Sequence, residues 1–131
     1  MTQIVTTDSL TAFTQYNLTS FQSLLLAEGV TIATTSGLGI LGDGSSITLI
    51  INGNIIAAGD GIDIGDQVNS GNDVIIGRTG SVLADGIGGV VIYNAATNLT
   101  NLGTISGTYA GVWLSTNTGD AVVMVNDGTI V

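Results

Sequence analysis

Two series of glycines run through this chain in step. Gly29, Gly53, Gly80, Gly103 and Gly128 recur about every 25 residues, and Gly37, Gly61, Gly89 and Gly111 follow about eight residues behind them. The segments after them repeat too: GNII, GSVL, GTIS and GTIV after the first series, and GLGI, GIDI, GVVI and GVWL after the second. A fixed period of this length marks a solenoid, in which a repeat cannot bury its own apolar face and stacks on its neighbours to do so.

The stretch Ile47–Asp66 shows one such unit whole. Its apolar runs Ile47–Ile51, Asn54–Ala57 and Gly61–Ile64 are separated by Asn52-Gly53 and Gly59-Asp60-Gly61. Each run is too short for a helix, and each break is a turn signal. Aligned on the glycines, the runs predict apolar columns: Leu25, Leu49, Ile76, Leu99 and Met124; Ile55, Val82, Ile105 and Ile130; Leu38, Ile62, Val90 and Val112; and Ile40, Ile64, Ile92 and Leu114. A fifth column, Ile47, Val74, Thr97 and Val122, is mixed. Alternation with other residues gives the period of two of a strand with one buried face. The chain has no proline, as expected when every interior strand must donate its N–H groups to the next coil.

Composition limits the chemistry. Net charge is −9, with Arg78 as the one basic residue and no histidine or cysteine. Nucleic acid binding runs on Lys and Arg contacts to phosphate, so it is excluded. Disulfides and thiol chemistry are excluded with cysteine. Only 8% of residues are charged and 44% are hydrophobic, which is not the balance of a disordered chain. No apolar run reaches the roughly 18 residues of a membrane span, and no membrane insertion is expected.

Residues 1–23 differ from the rest and read as an N-terminal cap ahead of solenoid repeats over 24–131. Asp8-Ser9 is placed to cap a short helix carrying Leu10, Phe13 and Tyr16, and Thr19–Gln22 matches a capping box. An irregular strand layer is the other reading.

The pattern Asn-x-Gly-x-Ile followed by Gly-φ-x-φ (where φ is an apolar residue), as in NGNII…GIDI, NLGTIS…GVWL and NDGTIV, resembles the parallel β-helix repeats of bacterial autotransporter passengers and filamentous adhesins. The resemblance covers about Leu24 to Val131 and implies a right-handed solenoid. It is specific for architecture, since such solenoids serve adhesins, enzymes and fibres alike. The heptapeptide Gly71–Gly77 is similar to one unit of the calcium-binding nonapeptides of type I-secreted proteins. A single copy and a period near 25 do not match a calcium roll.

Candidate sites follow. Asp60, Asp63, Asp66 and Asp73 form the acid-rich segment, and converging carboxylates take calcium through oxygen ligands. The plainer alternative is that corner aspartates close Asx turns. No cofactor is required by the reading. Val91, Tyr93, Tyr109 and Trp113 are expected to form an exposed patch suited to a glycan or a protein, against ordinary cross-coil packing as the alternative. With one cation and no histidine, no catalytic set appears, and the chain reads as a non-enzyme. A partial Thr ladder, Asn54, Ser81, Thr104 and Thr129, is too irregular for an ice-binding face. Gly128, Thr129, Ile130 and Val131 are expected to lie in an open coil, an edge that invites self-association.

The fold class expected is therefore all-β: a three-sided parallel β-solenoid of about four coils behind an N-terminal cap. The function expected is structural: a surface or secreted bacterial solenoid, without a visible N-terminal signal peptide, that self-associates head to tail or serves as an adhesin stalk. A carbohydrate-binding or carbohydrate-processing solenoid is the alternative.

Overall fold

Each short alternating run forms a strand and each break forms a corner, so the chain turns three corners per repeat. In this computed structural model, which describes residues 1–65, 69–93, 95–115 and 120–131, the first coil holds β1 (Thr2–Val5), β2 (Ser9–Thr11) and β3 (Tyr16–Leu18). The second holds β4 (Ser23–Leu26), β5 (Thr31–Thr34) and β6 (Ile40–Gly42), and the third β7 (Thr48–Ile51), β8 (Asn54–Ala57) and β9 (Ile62–Ile64). The fourth holds β10 (Asn69–Ile76), β11 (Ser81–Ala84) and β12 (Gly88–Tyr93), and the fifth β13 (Ala95–Asn101), β14 (Thr104–Gly107) and β15 (Ala110–Ser115). A sixth coil begins with β16 (Val122–Asn126) and β17 (Thr129–Ile130). Every third strand stacks in parallel, giving sheets of six, six and five strands. The molecule is thus an all-β, three-sided parallel β-solenoid, with no helix among the described residues.

There are more coils than the four expected, because residues 2–18 form a complete first coil paired in register with the second. The strand-layer alternative for this segment is the one that forms. Thr19–Gln22 does make its local hydrogen bonds: the Thr19 N–H donates to Gln22 Oε1 at 2.7 Å, and the Gln22 N–H to the Thr19 carbonyl at 3.3 Å. The product is a turn rather than a helix start. Leu24 and Leu26 become buried only by stacking as a strand on Leu49 and Ile51.

The apolar columns exist, but two coils sit differently from their glycine alignment. Leu24, not Leu25, stacks on Leu49, and Val74, not Ile76, continues that column to Leu99 and Met124. Ile76 instead joins Leu26, Ile51, Asn101 and Asn126, while Asn72 is level with Thr97 and Val122. Ile40 is the partner of Ile62, and Gly42 that of Ile64, so Leu38 lies outside the column assigned to it.

Corner length explains these slips. Coils two and four turn from the first to the second sheet through Ala27–Val30 and Gly77–Gly80, whereas coils three and five use Asn52-Gly53 and Leu102-Gly103. In coil two Val30 takes the position held elsewhere by Gly53, Gly80, Gly103 and Gly128: each of Val30, Gly53, Gly80 and Gly103 accepts an N–H from the following coil. The short corners nest inside the long ones. A Cβ on Gly53 would fall 2.3 Å from the Val30 oxygen and 2.5 Å from that of Ala27. A β-bulge between Asn69 and Asn72 adds a further residue to the fourth coil.

The core is aliphatic and complete through the middle coils. Leu49, Ile51, Ile55, Ile62, Ile64, Ile76, Val82, Val90, Ile92, Leu99 and Ile105 are all 0% exposed. A recurrent contact locks the coils together. An ideal Cβ on Gly39, Gly61, Gly89 or Gly111 would lie 2.3–2.5 Å from a branch methyl of Ile55, Val82, Ile105 or Ile130, respectively. Each glycine opening a third-sheet strand thus leaves room for an aliphatic side chain of the next coil. Three residues of one register position share the left-handed backbone region: Phe21 (φ 64°) and Ser46 (φ 58°) in the corners ahead of β4 and β7, and Gly71 (φ 72°) at the bulge of β10.

Candidate functional site

The outer face of the third sheet carries one column through five coils: Asn17, Leu41, Asp63, Val91 and Trp113. Trp113 is 45% exposed, Tyr93 48% and Tyr109 80%. Val91 is only 6% exposed, so it is not part of an open patch. The register sets it between Asp63 and Trp113. Tyr93 and Trp113 share this face as diagonal neighbours, since Val91 pairs with Trp113 and Tyr93 with Ser115. Tyr109 sits in the corner ahead of β15, away from that pair.

Asp63 is the perturbed group of this face. Partial burial between Leu41 and Val91, and then the nearby Asp60 carboxylate, push its pKa up to about 6. It can therefore hold a proton, and donate a hydrogen bond, close to neutral pH. Asp60 ties two coils together, its Oδ1 accepting the Gly88 N–H of the next coil at 2.9 Å. Asp8 does the same for Thr31 at 2.7 Å. These bonds run between coils rather than within an Asx turn.

Asp73 lies on a different sheet. It is paired with Thr48 on the first sheet's outer face, and its Oδ1 accepts from Asn98 Nδ2 at 2.8 Å. Asp60, Asp63 and Asp73 therefore do not converge, and Asp66 lies outside the described residues. Among the described residues no three acids or other metal-ligating groups come together. The outer column of the second sheet, Thr31, Asn54, Ser81, Thr104 and Thr129, keeps the mixed polar composition expected of it.

The last coil is the other candidate. Gly128–Val131 is tied to the fifth coil: the Thr129 N–H donates to the Gly103 carbonyl at 2.8 Å, and the Val131 N–H to that of Ile105 at 2.9 Å. Its opposite edge meets nothing among the described residues. Side chains of the core columns consequently surface there. Leu114 is 47% exposed and Met124 46%, and Val122 and Ile130 are half-buried, against full burial for Leu99 and Ile105 one coil below.

The first coil ends the columns differently. Gln3 stands over Leu24, Ser9 over Ile32 and Thr11 over Thr34. Gln15 Nε2 donates to Ser9 Oγ, while Gln15 Oε1 is buried without a hydrogen-bond partner among the described residues. Sequence reasoning passed over this contrast, although Gln3, Ser9 and Thr11 stand at positions of strand-like alternation.

It also passed over a buried amide ladder. Asn101 takes an aliphatic slot above Ile76 and is 0% exposed. Its Nδ2 donates to Asn126 Oδ1 at 2.7 Å and to the Thr129 carbonyl at 3.1 Å, while its Oδ1 accepts the Gly103 N–H at 3.2 Å. The signal was present in NLG and NDG, where asparagine precedes the corner glycine by two. Comparison of the chain with models of protein families, with curated proteins and with solved structures found no match in any of the three.

Proposed function

We propose that this chain is a structural, non-enzymatic β-solenoid of a bacterial surface or secreted protein, an adhesin stalk or matrix element that assembles through its last coil. The observation that carries the reading is the stacking mode itself: three parallel sheets are joined coil to coil by backbone hydrogen bonds, and among the described residues Leu114 and Met124 of the outermost strands are each nearly half exposed. Covering each is worth about 1 kcal/mol, half of a full aliphatic burial. Strand edges with free N–H and C=O groups add strands readily.

The two ends favour one geometry over another. Head-to-tail stacking would lay Gln3 over Met124 and Ser9 over Ile130, polar on apolar. Contact between two last coils places like apolar columns together and closes as a twofold dimer. The test is the size of the chain in solution across a concentration series, with negative-stain imaging. Dimers that grow with concentration, and that the double variant Met124→Lys/Ile130→Lys abolishes, are expected. A monomer at every concentration overturns the reading, and long fibres overturn the tail-to-tail geometry.

A second reading, a carbohydrate-binding face, draws on the exposure of Tyr93 and Trp113 on the face that carries Asp63. Glycan-array binding that is lost in Trp113→Ala and Tyr93→Ala decides for it.

A further inference from the structure

Three side chains of different chemistry ring one point on the outer face of the third sheet. Val91 is that point, paired with Asp63 in the coil below and Trp113 in the coil above. Tyr93 follows Val91 by two and is the diagonal neighbour of both, a separation of about 7–8 Å that aromatic side chains bridge. Val91 is 6% exposed while Tyr93 and Trp113 are 48% and 45% exposed, so a ligand lies across this face rather than in a cleft. Level with Tyr93 the coil below carries Gly65, whose ideal Cβ would fall 2.2 Å from the Tyr93 carbonyl oxygen. No side chain therefore stands beside Asp63 and Tyr93 at that position.

The charges around this point have one sign. Strands β6, β9, β12 and β15 carry no charged residue besides Asp63, and the corners next to them bring Asp43, Asp60 and Asp85. The one cation of the chain, Arg78, stands in a corner between the first and second sheets. Burial and the Asp60 carboxylate act on the Asp63 carboxyl, and both disfavour its ionised form. A bound cation reverses that. Its character follows from the neighbours, because Leu41 and Val91 flank Asp63 in the column. A primary ammonium is strongly hydrated and loses that water on entering apolar surroundings. A quaternary ammonium has no N–H to leave unpaired and is attracted to aromatic faces.

We infer that the outer face of the third sheet binds a methyl-clad organic cation of the choline type, held by the rings of Tyr93 and Trp113 and the carboxylate of Asp63. An anion attached beside the ammonium would meet Asp60 and Asp43, so the ligand is choline-like rather than a phosphocholine. The inference stands apart from the assembly and glycan readings.

Titration of choline chloride into the isotope-labelled chain at constant ionic strength, read by amide NMR shifts and by the fluorescence of Trp113, tests it. A dissociation constant on the order of millimolar is expected, with shifts concentrated in β9, β12 and β15, because each exposed cation–aromatic contact is weak. Ethanolamine, phosphocholine and the uncharged carbon isostere, in which a tert-butyl group replaces trimethylammonium, should each bind at least about threefold more weakly. Choline keeps its charge at every pH. Its affinity should therefore rise between about pH 5 and about pH 7.5 as Asp63, with its pKa pushed up to about 6, ionises. Asp63→Asn should bind more weakly and show no such rise, and Tyr93→Leu should bind about threefold more weakly with the other amide signals in place. Equal binding of choline and its carbon isostere overturns the inference. So does phosphocholine binding as tightly as choline, or an absence of shifts at about tenfold the expected dissociation constant. None of these outcomes alters the dimer or glycan-array tests, so those readings stand or fall separately.

Discussion

Gly89 is where the interlock between coils can be measured. A Cβ there would lie 2.5 Å from Ile105 Cγ2 and 2.9 Å from the carbonyl oxygens of Ser106 and Gly111. Carbon atoms rest at about 3.5–4.0 Å, so the methyl requires a displacement of about 1 Å inside a filled core. Overpacking of this kind costs about 1–3 kcal/mol, so Gly89→Ala should lower the urea midpoint by about 1 M. Ile105→Leu moves the branch from Cβ to Cγ and removes the clashing methyl at nearly constant volume, for less than about 1.5 kcal/mol alone. The double variant should be more stable than the summed single costs predict, by about 1 kcal/mol, because the main clash is gone and only the oxygen contacts remain. Equilibrium unfolding followed by fluorescence of the single tryptophan, Trp113 in the adjacent coil, reads the effect locally. Strict additivity, or a Gly89→Ala chain as stable as the parent, would refute the interlock.

Other perturbations test separate features. Asp63 keeps its proton up to about pH 6 when folded but only to the ordinary 3.8 when unfolded, so the folded state binds the extra proton between these values. Stability should therefore fall as pH rises from 4 to 6 and level off above. Asp63→Asn should remove that decline and be the more stable form at pH 8, as melting temperatures across pH will show. Ser46→Gly should stabilise by up to about 1 kcal/mol, since a left-handed backbone costs a side-chain-bearing residue about 1–2 kcal/mol and glycine little beyond its entropy; an unchanged or lower denaturation midpoint would contradict this. Asn101→Ala should cost about 1–3 kcal/mol and speed exchange of the Gly103 amide, which donates to Asn101 Oδ1.

The fold class could be read from the sequence because a solenoid writes its period openly. Gly53, Gly103 and Gly128 mark corners of equal length, so counting from them finds Leu49, Leu99 and Met124 in one column. Counting failed at Leu25 and Ile76 because their corners carry two more residues, and a glycine in a longer corner no longer measures the distance to the strand. It failed at Leu38 because Gly39, not Gly37, is level with Gly61. The surface was less legible. Period-two alternation assigned Val91 to the outer face correctly, yet Val91 is only 6% exposed there, and alternation gives the face of a side chain without giving its cover. The acids were grouped by closeness in sequence, but a corner separates Asp63 from Asp73 and puts them on different sheets. The amide ladder was legible, because Asn101 and Asn126 lie two residues after Leu99 and Met124, which the glycine count already placed on the inner face.

The inter-coil hydrogen bonds of all three sheets run along the solenoid axis, and that orientation has a mechanical consequence. Tension between the two ends loads those bonds in series rather than in shear. The terminal coil, sealed on one side alone, yields first and passes the load to the next. Each coil of about 25 residues then releases roughly 80–90 Å of extended chain. A solenoid built this way lengthens in steps at modest force and keeps its remaining coils folded, absorbing a pull instead of snapping under it.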